Sequence, residues 1–182
     1  MRKNIYNKKG FSLLEVLMAL FVLSVGITGT LSLIATSVSN SNESRDAIVA
    51  SQLAQEGVEL VRNIRDTNVI VNPSASNVFD SLVANDACRI DVLVGSWECG
   101  GVTGFKLNYD SGATPQFLTH AMGGIATKFS RRIMIEGAAN ERKVVSLVWW
   151  GSVNPGDDIS QCLNINDCTY AETILTDWGG EN

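Results

Sequence analysis

The sequence predicts an α+β fold, in which one long amino-terminal helix, apolar in its first half and amphipathic in its second, is packed on an antiparallel β-sheet. Three observations carry that prediction. No proline occurs before Pro73, so nothing in the first 72 residues breaks a helix from within. Residues 16–35 carry no charge, and over 42–66 apolar side chains recur at three- and four-residue steps. Beyond Asp66 the chain changes to short runs rich in β-branched and aromatic residues, parted by turn formers.

The uncharged run of 20 residues matches the length needed to cross the hydrocarbon core of a bilayer. Its polar atoms belong to Ser24, Thr28, Thr30 and Ser32, whose hydroxyls can bond back to helix carbonyls. Gly26 and Gly29 each cost near 1 kcal/mol in a helix interior. They mark either bending points or close helix packing. Further along, Ala47, Ala50, Leu53, Ala54, Gly57, Val58, Val61 and Ile64 form one stripe, while Glu43, Arg45, Asp46, Gln52, Gln55, Glu59 and Arg62 fall mostly elsewhere. A helix over 11–66 would be about 84 Å long at 1.5 Å per residue, enough to traverse a membrane and support a folded head. Gly57, inside the stripe, marks a close approach to the sheet.

Strand signals follow in order. Residues 88–94 alternate loosely, and Gly100-Gly101 and Asp110-Ser111-Gly112 break the chain. The clearest strands are 105–109, 128–136 and 142–150, and 171–178 forms a last segment. In the second of these, Phe129, Ile133 and Ile135 point one way and Arg132, Met134 and Glu136 the other, with Arg131 at an irregularity. Gly137-Ala138-Ala139-Asn140 is short enough to join two of these strands as a hairpin.

Ahead of the helix, Arg2, Lys3, Lys8 and Lys9 form a basic leader. Glu15 stands at the edge of the apolar run, where an acid costs up to roughly 2.5–3.5 kcal/mol at the helix centre and less near the interface. A secretory signal explains the basic start, but its apolar core is about 7–15 residues and a small-residue cleavage site follows; Ile34-Ala35-Thr36-Ser37 only loosely imitates one. A plain single-pass anchor explains the length and the cations, and leaves Gly10-Phe11 and Glu15 without a role.

Taken together, Lys8-Lys9-Gly10-Phe11-Ser12-Leu13-Leu14-Glu15-Val16-Leu17 resembles the amino-terminal signature of type IV prepilins and type II secretion pseudopilins. The resemblance implies cleavage after Gly10 by a prepilin peptidase, N-methylation of Phe11, and pairing of Glu15 with the terminal amine of a neighbouring subunit. Two opposite charges in a low-dielectric layer cost much less paired than alone. It also implies a type IV pilin-like fold with three parts: a leader over 1–10, a transmembrane and filament-core helix over 11–38, and an extracytoplasmic head over 39–182. The stretch Lys143-Val144-Val145-Ser146-Leu147-Val148-Trp149-Trp150 with the later Leu175-Thr176-Asp177-Trp178 resembles PilV-like minor pilins. Expected partners are other pilin subunits, the peptidase, an inner-membrane assembly platform and the membrane itself. The expected location is the cytoplasmic membrane before assembly and a cell-surface or periplasmic filament afterwards.

Charge agrees with this arrangement. Of 14 basic residues four lie in the leader, which leaves 10 against 19 acidic ones, a net charge of −9 for the remainder. The positive-inside rule keeps the leader cytoplasmic and exports the acidic part. Such a balance disfavours nucleic acid as a partner, because phosphate contacts need clustered Lys and Arg.

Cys88, Cys99, Cys162 and Cys168 lack the two-residue spacing of zinc sites, and in an exported domain they read as disulfides. Three pairings exist; Cys88–Cys99 with Cys162–Cys168 is preferred because each closes a local polar loop, and a site of four thiolates on a metal is the alternative. Catalysis is not expected, nor is any cofactor. His120, the one histidine, sits in a loop-like stretch and is expected at the surface. Asp157 and Asp158 could offer oxygens to calcium, but a solvated turn accounts for them. The Gly100-Gly101-Val102-Thr103-Gly104 run lacks the lysine and the following helix that a phosphate loop needs.

Overall fold

The structure, a computed structural model, describes residues 10, 12–71, 79, 86–92, 97–102, 104–110, 112, 117–121, 123–138, 141–156, 159–163 and 165–176. The chain divides into two compact units, Met1–Ser44 and Arg45–Asn182. Helix α1, Leu13–Val71, begins where the Ser12 carbonyl accepts the amides of Glu15 at 3.0 Å and Val16 at 3.3 Å. It ends past the expected Asp66, just before Pro73, whose ring disfavours helical geometry in the residue ahead of it.

In the first unit α1 is exposed along its apolar run. The hydroxyls of Ser24, Thr28, Thr30 and Thr36 donate to carbonyls three or four residues back, at 2.8–3.1 Å, which leaves few free polar atoms on this surface. The helix runs through Gly26 and Gly29 without interruption.

The second unit begins with the amphipathic half. Ala50, Leu53, Ala54, Gly57, Val58, Val61 and Arg65 are buried at helical spacing. Ala47, expected to open this stripe, is exposed. One turn earlier the link to the sheet is polar instead, an ion pair of Asp46 with Lys128. Gly57 lies directly against side chains of the sheet. A Cβ there would lie 2.2 Å from Ser146 Oγ and 3.2 Å from Arg131 Cδ, so any other residue forces those side chains or the helix to shift.

Among the described residues seven antiparallel strands follow: β1 (Asp86–Ile90), β2 (Trp97–Cys99), β3 (Lys106–Asp110), β4 (Phe117–Thr119), β5 (Ile125–Ala138), β6 (Glu141–Trp149) and β7 (Cys168–Thr176). A short helix α2, Ile159–Leu163, precedes β7. The long β5 organises the sheet. On one side it pairs with β6 from Ser130↔Trp149 to Ala138↔Glu141, and β7 lies beyond β6. Its other side is forked: β1 pairs along Ile133–Ile135 and carries β2, while β3 pairs from Ser130 back to Ile125 and carries β4.

Two strand expectations need correction. Arg131 is not at an irregularity: it pairs in register with Val148 and points to the helix like Phe129 and Ile133. The irregularity lies between Lys106 and Asn108, where β5 runs ahead of β3, and the Thr127 hydroxyl bridges the mismatch by donating to the Leu107 carbonyl at 2.7 Å. The last strand starts at Cys168, not Ala171, while Asp177 and Trp178 lie outside the described residues. At the β5–β6 turn, Gly137 has φ 122°, and a Cβ there would lie 2.5 Å from the Glu141 carbonyl oxygen.

Both faces of the sheet are covered. Towards α1, Val61 packs with Phe79, Cys88, Ile90, Ile133, Ile135, Val144 and Leu175, and Leu53 packs with Ala50, Ala54, Leu107, Phe129 and Val148. On the opposite face Phe105, Met134, Val145, Leu147 and Trp149 close against Cys162 of α2. Arg132 lies among them with its guanidinium 4.2 Å from the Phe105 ring centre and 5.5 Å from that of Trp149. Burial on both faces explains why β6 reads as an almost unbroken apolar run.

Candidate functional site

The amino-terminal segment is built from Gly10 outward. Ser12 caps the helix, Leu13 and Leu14 open it, and Glu15 falls in its first turn, where the helix dipole favours a carboxylate. Leu14, Val16, Leu17, Met18, Leu20, Phe21 and Leu23 surround that carboxylate with exposed apolar surface. Among the described residues no side chain pairs with Glu15, and α1 is the one helix long and apolar enough to cross a membrane. Phe11, Lys8 and Lys9 lie outside the described residues. An exposed apolar surface of this extent is the kind that lipid or another protein surface covers, and a carboxylate buried in such a layer is costly unless paired.

Residues 5–31 match the prokaryotic N-terminal methylation motif. That match supports a type IV prepilin-like family and a peptidase-processed, membrane-associated chain. It covers Lys8, Lys9, Gly10, Phe11 and Glu15 together with the first part of α1. No curated protein and no solved structure matches the chain.

In the second unit all four cysteines are joined, Cys88 to Cys99 and Cys162 to Cys168. The first bridge links directly opposed positions of β1 and β2, and the second ties α2 to the start of β7. Among the described residues no cluster of acids, histidines and cysteines could hold a metal, and Asp157 and Asp158 lie outside them.

His120 is not at the surface. Its side chain is 4 % exposed, and its Nδ1 lies 2.6 Å from Asp91 Oδ1 while its Nε2 lies 3.1 Å from the Arg131 carbonyl oxygen. Asp91 also accepts the Thr119 hydroxyl at 2.8 Å and the His120 amide at 3.0 Å. Sequence reading missed this cluster because its members lie on or just past three strands and up to 40 positions apart. With both ring nitrogens engaged, His120 has none to offer a nucleophile, which removes the Ser-His-Asp arrangement.

Burial alone pushes the Asp91 carboxyl up. The hydrogen bond and charge of His120, the Thr119 hydroxyl and the His120 amide outweigh it and hold Asp91 below its ordinary value. A carboxyl depressed in the fold adds stability above its unfolded value of about 3.9 and loses it as the pH falls through the lower folded value. Urea midpoints of the head should therefore fall on acidification below about pH 4 more steeply in the wild type than in Asp91→Asn. Parallel acid profiles would contradict the pairing.

Proposed function

We propose that the chain is a structural subunit of a type IV pilus or related filament, of minor-pilin kind, cleaved after Gly10 and assembled through α1. One observation carries the proposal: the methylation motif coincides with an exposed apolar helix whose Glu15 has no partner among the described residues. The chain enters the cytoplasmic membrane with its basic leader inside, the peptidase removes residues 1–10, and the assembly platform delivers the helix among those of other pilins. Once there, Glu15 meets the N-methylated amine of a neighbouring Phe11. The two charges then neutralise each other in an apolar layer, and the pair sets the axial position of one subunit on the next. The extracytoplasmic head, 39–182, is carried to a cell-surface or periplasmic filament. The minor-pilin assignment rests on the aromatic β6 and the late Leu175-Thr176-Asp177-Trp178.

Processing and assembly are separable in one experiment. In cells that possess the peptidase, mass spectrometry should find an N-methylated Phe11, and Gly10→Val should leave the uncut precursor in the membrane. Glu15→Ala should be cleaved and inserted normally, since losing an acid favours insertion, yet be depleted several-fold from sheared filaments. An intact Met1 terminus in the wild type would overturn the pilin assignment and leave a plain membrane-held domain; equal recovery of Glu15→Ala in filaments would overturn the pairing alone.

A further inference from the structure

The buried residues of α1 run from Ala50 to Arg65, and the uncharged run that lipid can hold ends at Ala35. The turns between them have neither support. Every residue over 37–44 is exposed, and the two compact units divide at the end of this stretch, between Ser44 and Arg45. A helix without packing or lipid around it depends on the preferences of its own residues.

Those preferences are poor here. Six of the eight residues are Ser or Asn: Ser37, Ser39, Asn40, Ser41, Asn42 and Ser44. Such side chains weaken a helix interior because they offer the backbone hydrogen bonds of their own. One turn earlier the hydroxyls are spent on helix carbonyls, Thr36 donating to Ser32 at 3.1 Å. Among the described residues no side chain of 37–44 makes a hydrogen bond, so all six face water unengaged.

The same stretch also spells a helix start. Asn40 is a preferred cap, Glu43 follows three positions later, and the apolar Ala47-Ile48-Val49-Ala50 comes next. That spacing is a capping box, in which the cap side chain accepts the amide of the third helical residue and the acid there accepts the amide of the cap. In the continuous α1 both amides are engaged by carbonyls four residues back, so the box is unmade. A start signal within one helix is used only when the helix breaks there.

We propose that α1 contains a joint at residues 37–39: this turn unwinds, and the helix of the second unit restarts with Asn40 as its cap and Glu43 closing the box. The backbone bonds lost are replaced by the two of the box and by water. Each flanking half keeps its own support. On one side this is the Asp46–Lys128 pair and the core from Ala50 onward; on the other it is whatever covers the apolar run. The second unit can then turn without moving the helix held in an apolar layer. Only the holding of α1 over its apolar run is needed, and neither cleavage nor the pairing of Glu15 enters.

Because all four cysteines are joined, two added thiols can be labelled alone. Ser32 is exposed, and Ile48 is 59 % exposed. In the full-length protein in detergent micelles, spin labels on Ser32→Cys and Ile48→Cys report the span. A continuous helix sets their backbones about 24 Å apart, 16 steps at 1.5 Å each. Dipolar distance measurement should find that peak together with a separate second population, about a tenth of the molecules. Asn40→Ala should reduce the second population at least about threefold, and Asn40→Asp, which keeps a cap, should retain it. A single narrow peak without either Asn40 change overturns the proposal. So does an undiminished second population in Asn40→Ala, or its loss in Asn40→Asp.

Discussion

Leu53→Asp is expected to leave the head unfolded. Leu53 is 6 % exposed and packs with Ala50 and Ala54 of its own helix and with Leu107, Phe129 and Val148 across the sheet. Emptying such a site of its side chain costs about 2–5 kcal/mol. The carboxylate adds the penalty of an apolar site without a hydrogen-bonding partner, several kcal/mol more before the group takes up a proton. Together these reach the roughly 5–15 kcal/mol by which whole domains are stable. A soluble head beginning near Asn40 should lose its cooperative urea transition in this variant, whereas Leu53→Met, which conserves volume, should shift it by less than about 1.5 kcal/mol. A native-like transition for Leu53→Asp would show that α1 is not held where the structure puts it.

The second large effect is asymmetric. Arg131 is completely buried, with Glu56 at 3.3 Å from its Nη1, while Glu56 keeps 37 % of its side chain exposed. Removing one partner of a buried ion pair costs about 3–5 kcal/mol because it strands the other charge. Glu56→Ala strands the guanidinium beneath α1, and the partial exposure of Glu56 places the expected loss at the lower end, near 3 kcal/mol. The reverse deletion is milder. In Arg131→Met the released Glu56 turns to water, a flexible apolar chain fills the space, and the chief loss is the donor to the Ile90 carbonyl, about 1 kcal/mol. Adding Arg131→Met to Glu56→Ala should then recover most of the stability. Equal, additive losses in a urea double-mutant cycle would remove the ion pair from the account.

The amino-terminal motif was legible because its information is local: the residues matched over 5–31 lie in one continuous segment and need no folding to be recognised. The helix was legible too, since 3.6-residue periodicity survives over many turns. Arg131 was misread for a physical reason. A charge on an otherwise apolar strand face signals a break in alternation, unless a counter-charge waits on another element, and Glu56 lies far away in sequence. His120 hid in the same way, behind Asp91. The strands β2 and β4 have three residues each and α2 five, too short for any period to show.

The two disulfides carry a mechanical consequence. They consume all four cysteines, and each closes within the sheet-side segments, so no covalent bridge joins α1 to any strand. A pull applied to the sheet and resisted at the helix would therefore bypass both bridges. The load would fall on the stripe from Ala50 to Val61, on the Gly57–Ser146 contact and on the Glu56–Arg131 and Asp46–Lys128 pairs, all of which act in parallel as shear. Reducing agents would leave that strength almost untouched, while a single lost side chain under α1 would lower the force at which the head slips.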